Sequence, residues 1–263
     1  IKSSAASDVY KRQSFYGGVS IMMGRLRAMR EPLKYVQGRD ALLKFHEEMG
    51  YMGKRWLFVC SNSGYKACHD KIEKSFEGLD DYRRYEIFGG ISSNGEINKM
   101  KAIVEQDNID TVVAVGGGSA VDTAKATAYY SGKHIVIVPT VAATDAPCTG
   151  LSVIYNDDHS FDKYLFYPTN PDAVMVDTTV IANAPVKFLI AGMGDALGTY
   201  FEGRASIRTE SASLEGTGIT RAGQALARLC YDTLREYGKQ AIEACKVPVS
   251  YTHLRAHETS AHL

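Results

Sequence analysis

The sequence has no excess of charge of either sign, no long apolar run and no paired-cysteine motif. Its 263 residues include 30 basic and 30 acidic side chains, and this balance, without a long basic run, argues against a nucleic-acid partner. No stretch approaches the roughly 20 apolar residues of a membrane span, and no credible signal peptide opens the chain. The five cysteines form no Cys-x-x-Cys pair. Reduced thiols, no metal cluster and a cytoplasmic location are therefore expected.

The two ends of the chain differ from the rest in their residue pattern. Residues 1–13 and 248–263 have no hydrophobic periodicity and resemble translated adapter sequence. We therefore expect a non-native leader over 1–21 and a non-native tail from 248 onward. His253 and His257 have the i, i+4 spacing of a zinc site, but we interpret them as part of that foreign tail.

Short apolar runs alternate with amphipathic stretches along the first part of the chain. The apolar runs cover 56–60, 82–88, 111–115 and 134–138. The amphipathic stretches cover 39–49, 64–78, 94–107 and 119–131. Such alternation predicts an α/β fold with a Rossmann-like parallel sheet and crossover helices. Ligands of these sheets bind at the carboxyl ends of the strands.

The pattern changes after residue 150. Two apolar runs around a polar stretch predict a β-hairpin, one short run is expected to return to the sheet, and two Ala- and Leu-rich segments predict helices. The hairpin strands are 151–155 and 163–167, and the returning run is 173–176. The two predicted helices are 188–205 and 213–237. We predict an α/β domain over 22–183, followed by the start of an all-helical domain over 184–247.

Three consecutive glycines end one of the predicted strands. Gly116, Gly117 and Gly118 stand between the apolar run and a helical segment, where glycine allows close approach of a ligand and the open N–H groups of a helix start favour an anion. Ser119 is the expected N-cap, with Asp122 three residues on. We predict that this run binds the pyrophosphate of a dinucleotide. A plain strand–helix turn is the alternative, since the spacing is not Gly-x-Gly-x-x-Gly.

Five motifs carry a resemblance to a known family. They are Gly-Gly-Gly-Ser-Ala-Val-Asp-Thr-Ala-Lys at 116–125, Pro-Thr-Val-Ala-Ala-Thr-Asp-Ala-Pro-Cys at 139–148, Leu-Ser-Val-Ile-Tyr at 151–155, Asn-Pro-Asp at 170–172 and Ala-Gly-Met-Gly-Asp-Ala-Leu at 191–197. In this order they resemble the glycerol dehydrogenases of the iron-containing alcohol dehydrogenase and dehydroquinate-synthase-like superfamily. The resemblance runs from about residue 34 to residue 246.

The resemblance implies an NAD-linked oxidation of glycerol to dihydroxyacetone, with the alcohol polarised by zinc. It also implies a homo-oligomer, a small polyol as substrate, and a larger helical domain that binds metal and substrate. On this basis we expect the chain to be a C-terminally truncated fragment that is itself inactive. Two alternatives stay open: a dehydrogenase of another polyol, diol or polyol phosphate, and a non-catalytic nucleotide-binding fragment. A phosphate substrate is disfavoured because 139–155 contains no Arg or Lys.

The resemblance, together with the glycine run, implies a cofactor site with members on four segments. The positions are Gly116, Gly117, Gly118, Ser119, Ala120, Val121, Asp122, Thr140, Ala143, Thr149, Leu151, Tyr155 and Ser61. Hairpin packing is an alternative role for Leu151 and Tyr155. For Lys125, a role at the cofactor and a surface ion pair with Asp122 both stay open.

Two of these positions depart from the family pattern. Relatives carry an Asp on the adenosine ribose where this chain has Ser61. A carboxylate there binds both ribose hydroxyls and repels a 2′-phosphate, so Ser61 predicts weaker discrimination between NAD and NADP. Ala143 stands where relatives often have a serine, which removes one potential hydrogen bond to the cofactor.

Two aspartates are candidates for the chemistry. Asp195 lies between Gly194 and Ala196 at an expected helix start. The residues alone leave a metal ligand and an N-cap equally open, and the resemblance implies a zinc ligand whose two histidine partners lie beyond this chain. Asp145 precedes an Ala-Pro pair. A turn-forming role is the alternative there, and the resemblance implies a hydrogen bond to a substrate hydroxyl.

Overall fold

Six parallel strands form the central sheet of the computed structural model, which describes residues 26–212 and 216–246. The strands are β1 (Lys34–Gly38), β2 (Arg55–Cys60), β3 (Tyr82–Ile87), β4 (Thr111–Gly116), β5 (His134–Pro139) and β8 (Ala173–Asp177). Their order across the sheet is β1-β8-β5-β4-β2-β3, and every neighbouring pair is parallel. The predicted parallel sheet is confirmed, including the return of 173–176, which enters between β1 and β5.

Strand β1 was absent from the sequence prediction. Its five residues, Lys-Tyr-Val-Gln-Gly, form neither an apolar run nor a regular polar–apolar alternation. All five are partly buried in the structure. The strand exists because it pairs in register with β8 at the edge of the sheet.

The core has one apolar layer on each face of the sheet. Successive residues of β2 alternate between the layers: Trp56 and Phe58 pack on one face, and Leu57 and Val59 pack on the other. This is the two-residue period of a strand that is buried on both sides. The first layer holds a group of aromatic rings, with Phe45 5.7 Å from both Trp56 and Phe58 between ring centroids.

Three helices cross over between the strands of the sheet. They are α2 (Asn62–Ser75), α3 (Asn94–Gln106) and α4 (Gly118–Ser131). The expected helix over 39–49 is instead a 3₁₀ turn (Ala41–Lys44), the short helix α1 (Phe45–Met49) and a second 3₁₀ turn (Gly50–Met52). The predicted cap at Ser119 is wrong. The N–H of Val121 donates to Gly117 O (3.1 Å), so the first turn closes earlier and Gly117 is the N-cap.

The hairpin and the later helices follow the sequence prediction with shifted bounds. Strands β6 (Leu151–Tyr155) and β7 (Phe161–Phe166) pair antiparallel. After β8 come a short helix that was not predicted, α5 (Thr178–Asn183), and two long ones, α6 (Val186–Thr209) and α7 (Arg221–Lys246). No helix in the described part of the chain is long and apolar enough to cross a membrane. The predicted leader, the predicted tail with His253 and His257, and 213–215 lie outside the described residues.

The helix pair places Asp195 differently from the expectation. The residue lies in the interior of α6 and is exposed, so the predicted position at a helix start, and the N-cap role with it, are wrong. Helix α6 begins after Pro185, which occupies its N-cap, and Gly192 and Gly194 do not interrupt it. The two long helices pack through aromatic rings, with Tyr200 and Tyr231 4.5 Å apart between centroids.

Candidate functional site

The carboxyl ends of three neighbouring strands bring the predicted cofactor residues together. Ser61 follows β2, the glycine run ends β4, and Thr140 follows β5. The N–H of Ser61 donates to Val115 O, and the N–H of Thr140 donates to Gly116 O, each at 3.0 Å. We call the surface formed by Ser61, 116–118 and 140–145 the carboxyl-end site.

The glycine run is packed tightly at its first position, lies close to Val141 at its second and is open at its third. A Cβ atom on Gly116 would lie 2.7 Å from the Cβ of Ala120 and 3.1 Å from Ser61 Oγ, so no larger residue fits there. A Cβ on Gly117 would lie 3.3 Å from Val141 Cγ2, and one on Gly118 would be 3.9 Å from Thr144 Oγ1. A side chain at Gly117 or Gly118 would therefore occupy surface that a phosphate group needs for close approach.

The start of helix α4 is free of side-chain capping. Gly117 provides no side-chain hydrogen bond, so the first N–H groups of the helix, beginning at Gly118, have no capping acceptor. Their dipoles give this end of a 14-residue helix partial positive charge. Ser119 is exposed beside them. The arrangement fits the pyrophosphate of a dinucleotide.

Asp145 is held in a turn directly after the sheet. The N–H of Ala146 donates to Thr144 Oγ1 (3.1 Å), and the N–H of Cys148 donates to Asp145 O (3.0 Å). Asp145 is an exposed residue, but the protein around its carboxyl group removes part of the hydration of that group. This desolvation, followed by repulsion from Asp195, raises the pKa of Asp145.

Helix α6 contacts the carboxyl-end site through a glycine. A Cβ atom on Gly192 would lie 2.1 Å from Ala142 O and 3.2 Å from the Cα of Ala143, so the helix lies directly against this loop. Asp195 follows Gly192 by one helical turn, and its charge acts on Asp145. The structure thus brings the two predicted aspartates into one electrostatic environment.

These aspartates do not make up a metal centre by themselves. Among residues 26–212 and 216–246, no group of three or more His, Cys, Asp or Glu side chains could hold a metal ion. A catalytic zinc has three protein ligands. The donor set of the described chain therefore does not fit zinc.

Asp122 and Lys125 are buried, and the predicted alternative of a surface ion pair is wrong. Lys125 Nζ lies 3.2 Å from Asp122 Oδ1, and the N–H of Val153 donates to Asp122 Oδ2 (3.2 Å). Desolvation raises the pKa of Asp122 and lowers the pKa of Lys125. The carboxylate of Asp122 contacts the hairpin and Lys125. Any effect of Asp122 on the cofactor would therefore be indirect, through the position of α4.

The remaining predicted residues lie along the hairpin and the loop that precedes it. Thr149 Oγ1 donates to Ala146 O (3.4 Å), and Leu151 is half-buried at the start of β6. Tyr155 is at the other end of β6, where its N–H donates to Ser92 O (2.9 Å). The hairpin thus reaches from the Asp145 turn to the N-terminus of α3.

The sequence reasoning missed Gly192 and Asn170 as structural members of the site. Asn170 Nδ2 donates to Cys148 O (2.8 Å) and Arg30 O (3.0 Å), which fixes the loop after Asp145. The signal for Gly192 was available: a glycine inside a helical segment costs about 1 kcal/mol relative to alanine, so a packing reason was to be expected.

A cavity of about 560 Å³ lies at the opposite, amino-terminal end of the sheet. Its lining includes Asp110, Lys133, His134 and Asp172, which stand just before or at the starts of β4, β5 and β8. Lys125 and Asn170 also line it, but none of Ser61, 116–122, Thr140, Ala143, Thr149, Leu151 and Tyr155 does. Ligands of open parallel sheets bind at the carboxyl ends of the strands, so the carboxyl-end site is the functional candidate.

Comparison with known proteins agrees with this geometry. Residues 32–178 match the family of iron-containing alcohol dehydrogenases. The chain belongs to the iron-containing alcohol dehydrogenase family. The matched segment of this family member contains the whole parallel sheet and the glycine run, and it ends at the start of α5.

Named relatives cover the helical pair as well. The chain is 41% identical over 220 residues to a glycerol dehydrogenase of Escherichia coli O6:H1, covering 84% of this chain and 60% of that protein. It is 38% identical over 217 residues to a glycolaldehyde reductase of Halobacterium salinarum, covering 82% and 59%. A probable glycerol dehydrogenase structure from Sinorhizobium meliloti superposes with a TM-score of 0.76 at 38% identity, covering 84% and 60%. The chain spans about 60% of the length of these relatives.

Proposed function

We propose that this chain forms the cofactor-binding part of an NAD-linked polyol dehydrogenase that oxidises glycerol to dihydroxyacetone. The reaction transfers a hydride from the central carbon of glycerol to the nicotinamide and releases a proton. The observation that carries the proposal is the juxtaposition of a helix start without side-chain capping, a glycine surface and Asp145 at the carboxyl ends of the strands, with Asp195 of α6 acting on Asp145.

Each part of the carboxyl-end site has a role in this proposal. The N–H groups of Gly118, Ser119 and Ala120 hold the pyrophosphate, while Gly116 and Gly117 allow its approach. Ser61 contacts the adenosine ribose. Thr140, Ala143, Thr149, Leu151 and Tyr155 continue the surface toward the nicotinamide. The carboxylate of Asp145 accepts a hydrogen bond from a substrate hydroxyl, because it is the acidic group of the turn that remains open to solvent.

Zinc belongs to the proposal only for a longer protein. Asp195 supplies one carboxylate, and residues 26–212 and 216–246 hold no group of three or more His, Cys, Asp or Glu that could complete a metal site with it. As it stands, the polypeptide is proposed to bind dinucleotide without turning over glycerol. The division into domains at about residue 183, a homo-oligomeric state and a cytoplasmic location remain proposals of the same kind.

A second candidate is a dehydrogenase or reductase of another small hydroxylated substrate. The similarity to a protein named glycolaldehyde reductase supports it, because that similarity nearly equals the similarity to named glycerol dehydrogenases. A phosphorylated polyol is less well supported. Lys125, beneath the Asp145 turn, is buried and donates to main-chain carbonyls.

Titration of the 263-residue chain with NAD tests the cofactor proposal. We expect saturable binding that weakens about tenfold in Gly118→Ala, since one methyl group, which meets only Thr144 Oγ1 at 3.9 Å, would occupy the proposed phosphate surface. Gly38→Ala is the matched control, because a Cβ there meets nothing within 4 Å, and its affinity should equal that of the unaltered chain. Absence of binding at millimolar NAD, or equal loss in both variants, would overturn the proposal.

A further inference from the structure

A buried lysine lies beneath the turn that carries Asp145. Lys125 is 3% exposed and projects from α4. Its ammonium group donates to Ala146 O (3.0 Å), Thr149 O (3.4 Å) and Leu151 O. An ammonium group has three donors and no acceptor, so these three carbonyls use its full hydrogen-bonding capacity.

Asp122 completes this arrangement from the preceding turn of the same helix. One of its oxygens lies 3.2 Å from the ammonium group, and the other accepts the N–H of Val153 at 3.2 Å. Ser152 Oγ donates to the main-chain carbonyl of Asp122 (3.2 Å). The two side chains therefore hold the loop after Asp145 and the first strand of the hairpin against α4, which is also the helix that begins at the glycine run.

The carbonyls of this loop are directed inward. Those of Ala146, Thr149 and Leu151 face Lys125, and that of Cys148 accepts from Asn170 Nδ2. Partly buried carbonyls that lose their donors cost free energy, so the hydrogen bonds of Lys125 stabilise this conformation of the loop. Asp145, at the start of the same loop, is exposed.

We propose that Asp122 and Lys125 are positioning residues that set the Asp145 turn relative to the glycine run, without contacting cofactor or substrate. This inference rests on the proposed function. Helix α4 would bind the pyrophosphate at its start, and through Asp122 and Lys125 it would also place Asp145, the proposed substrate-binding residue. The positioning role replaces the two roles considered from the sequence, a cofactor contact and a surface ion pair.

Three variants of the ligand-free, 263-residue chain test the proposal. Lys125→Met removes the donors and the charge, Lys125→Arg keeps the charge, and Lys99→Met removes an exposed lysine of α3 as a matched control. Hydrogen exchange is followed by mass spectrometry. In Lys125→Met we expect exchange over 146–155 to accelerate about tenfold or more, with β2 and β4 unchanged. Lys99→Met should leave all of these segments as they were.

The pKa of Asp145, measured by NMR of carbon-labelled aspartate, supplies a readout that a loss of packing alone would not give. The charge of Lys125 lowers this pKa, so Lys125→Met should raise it, while Lys125→Arg should leave it near its original value. If Lys125→Met does not fold, Lys125→Gln is judged by the same two measurements.

Uniform acceleration of exchange throughout the sheet, or an unchanged Asp145 pKa in the Met or Gln variant, would overturn the positioning role. Because both measurements are made without dinucleotide, their failure is distinguishable from failure of NAD binding. Failure of NAD binding would remove the proposed function and leave the contacts of Lys125 with the loop unaffected.

Discussion

The parallel sheet and the pair of long helices bury their side chains to very different extents. All six residues of β4 are buried, whereas α6 has no buried residue and α7 has three, Ala227, Cys230 and Gly238. Large apolar side chains of the pair, such as Ile190, Phe201 and Leu229, are 42–58% exposed. Burial of apolar surface is the main favourable term in folding, so the stability of the described chain comes chiefly from the sheet.

The same contrast separates the two halves of the site. The proposed pyrophosphate surface consists of main-chain groups and glycines at the end of the buried strand β4 and the start of α4. The helix pair contributes a single acidic side chain, Asp195, and its position depends on one close contact between Gly192 and the loop at Ala142. Four experiments with pairs of variants would test this comparison between the sheet and the helix pair.

Equivalent truncations in the two regions should differ most. Phe58→Ala, at a side chain with no exposure, should lower the free energy of unfolding by about 3–5 kcal/mol because it leaves a cavity between packed rings. Phe201→Ala, at 42% exposure, should cost about 1 kcal/mol or less. Urea denaturation followed by circular dichroism measures both. Equal losses would contradict the view that the sheet carries the stability.

Two glycines of α6 should respond in opposite directions to alanine. Gly192→Ala should destabilise the chain by about 1–3 kcal/mol, because its Cβ would collide with the main chain of the loop, which cannot move aside cheaply. Gly194→Ala meets nothing within 4 Å and should stabilise by up to about 1 kcal/mol through helix propensity. The measurement is again urea denaturation. The same sign for both variants would mean that α6 does not lie against the loop.

Ser61→Asp should change cofactor preference without loosening the helix that it caps. Ser61 Oγ accepts the N–H of Gly64 (3.0 Å), and aspartate caps equally well. A carboxylate at the ribose position should weaken NADP relative to NAD about tenfold, as measured by parallel titrations. Ser63→Asp adds the same charge two residues further along the chain and should change the ratio of NADP affinity to NAD affinity less. A strong NAD preference in the unaltered chain would contradict the prediction for Ser61.

Asp145→Asn should have the smallest effect, with a defined dependence on pH. Because the folded-state pKa of Asp145 is raised above its ordinary value of 3.8, the folded chain favours the protonated form and loses stability as pH rises through that interval. The variant should therefore be slightly more stable at neutral pH, and the difference should vanish below about pH 3.8. Thermal unfolding at several pH values tests this, with the exposed Asp80→Asn as control. A variant less stable than the original at neutral pH would contradict it.

Much of the fold and part of the site were predictable from local pattern. The alternation of apolar runs with amphipathic stretches indicated four of the six sheet strands, and glycine chemistry indicated where the helix N-terminus would open. Asp145 and Asp195 were selected by their motifs. Edge strand β1 was not predictable in this way, because partly buried residues show neither strand pattern and pair only with the distant β8.

The amino-acid sequence by itself determined the α/β class and the carboxyl-end position of the glycine run, since hydrophobic period and glycine conformation act over a few residues. Tertiary structure alone decided that Lys125 lies beneath the Asp145 turn rather than on the surface, and that Asp195 stands within a helix pressed against Ala142. These outcomes depend on contacts between residues 20 to 50 positions apart. The physical reason is that the burial and the charge pairing of a residue depend on the residues that pack against it in the fold. Local periodicity in the sequence does not identify those residues.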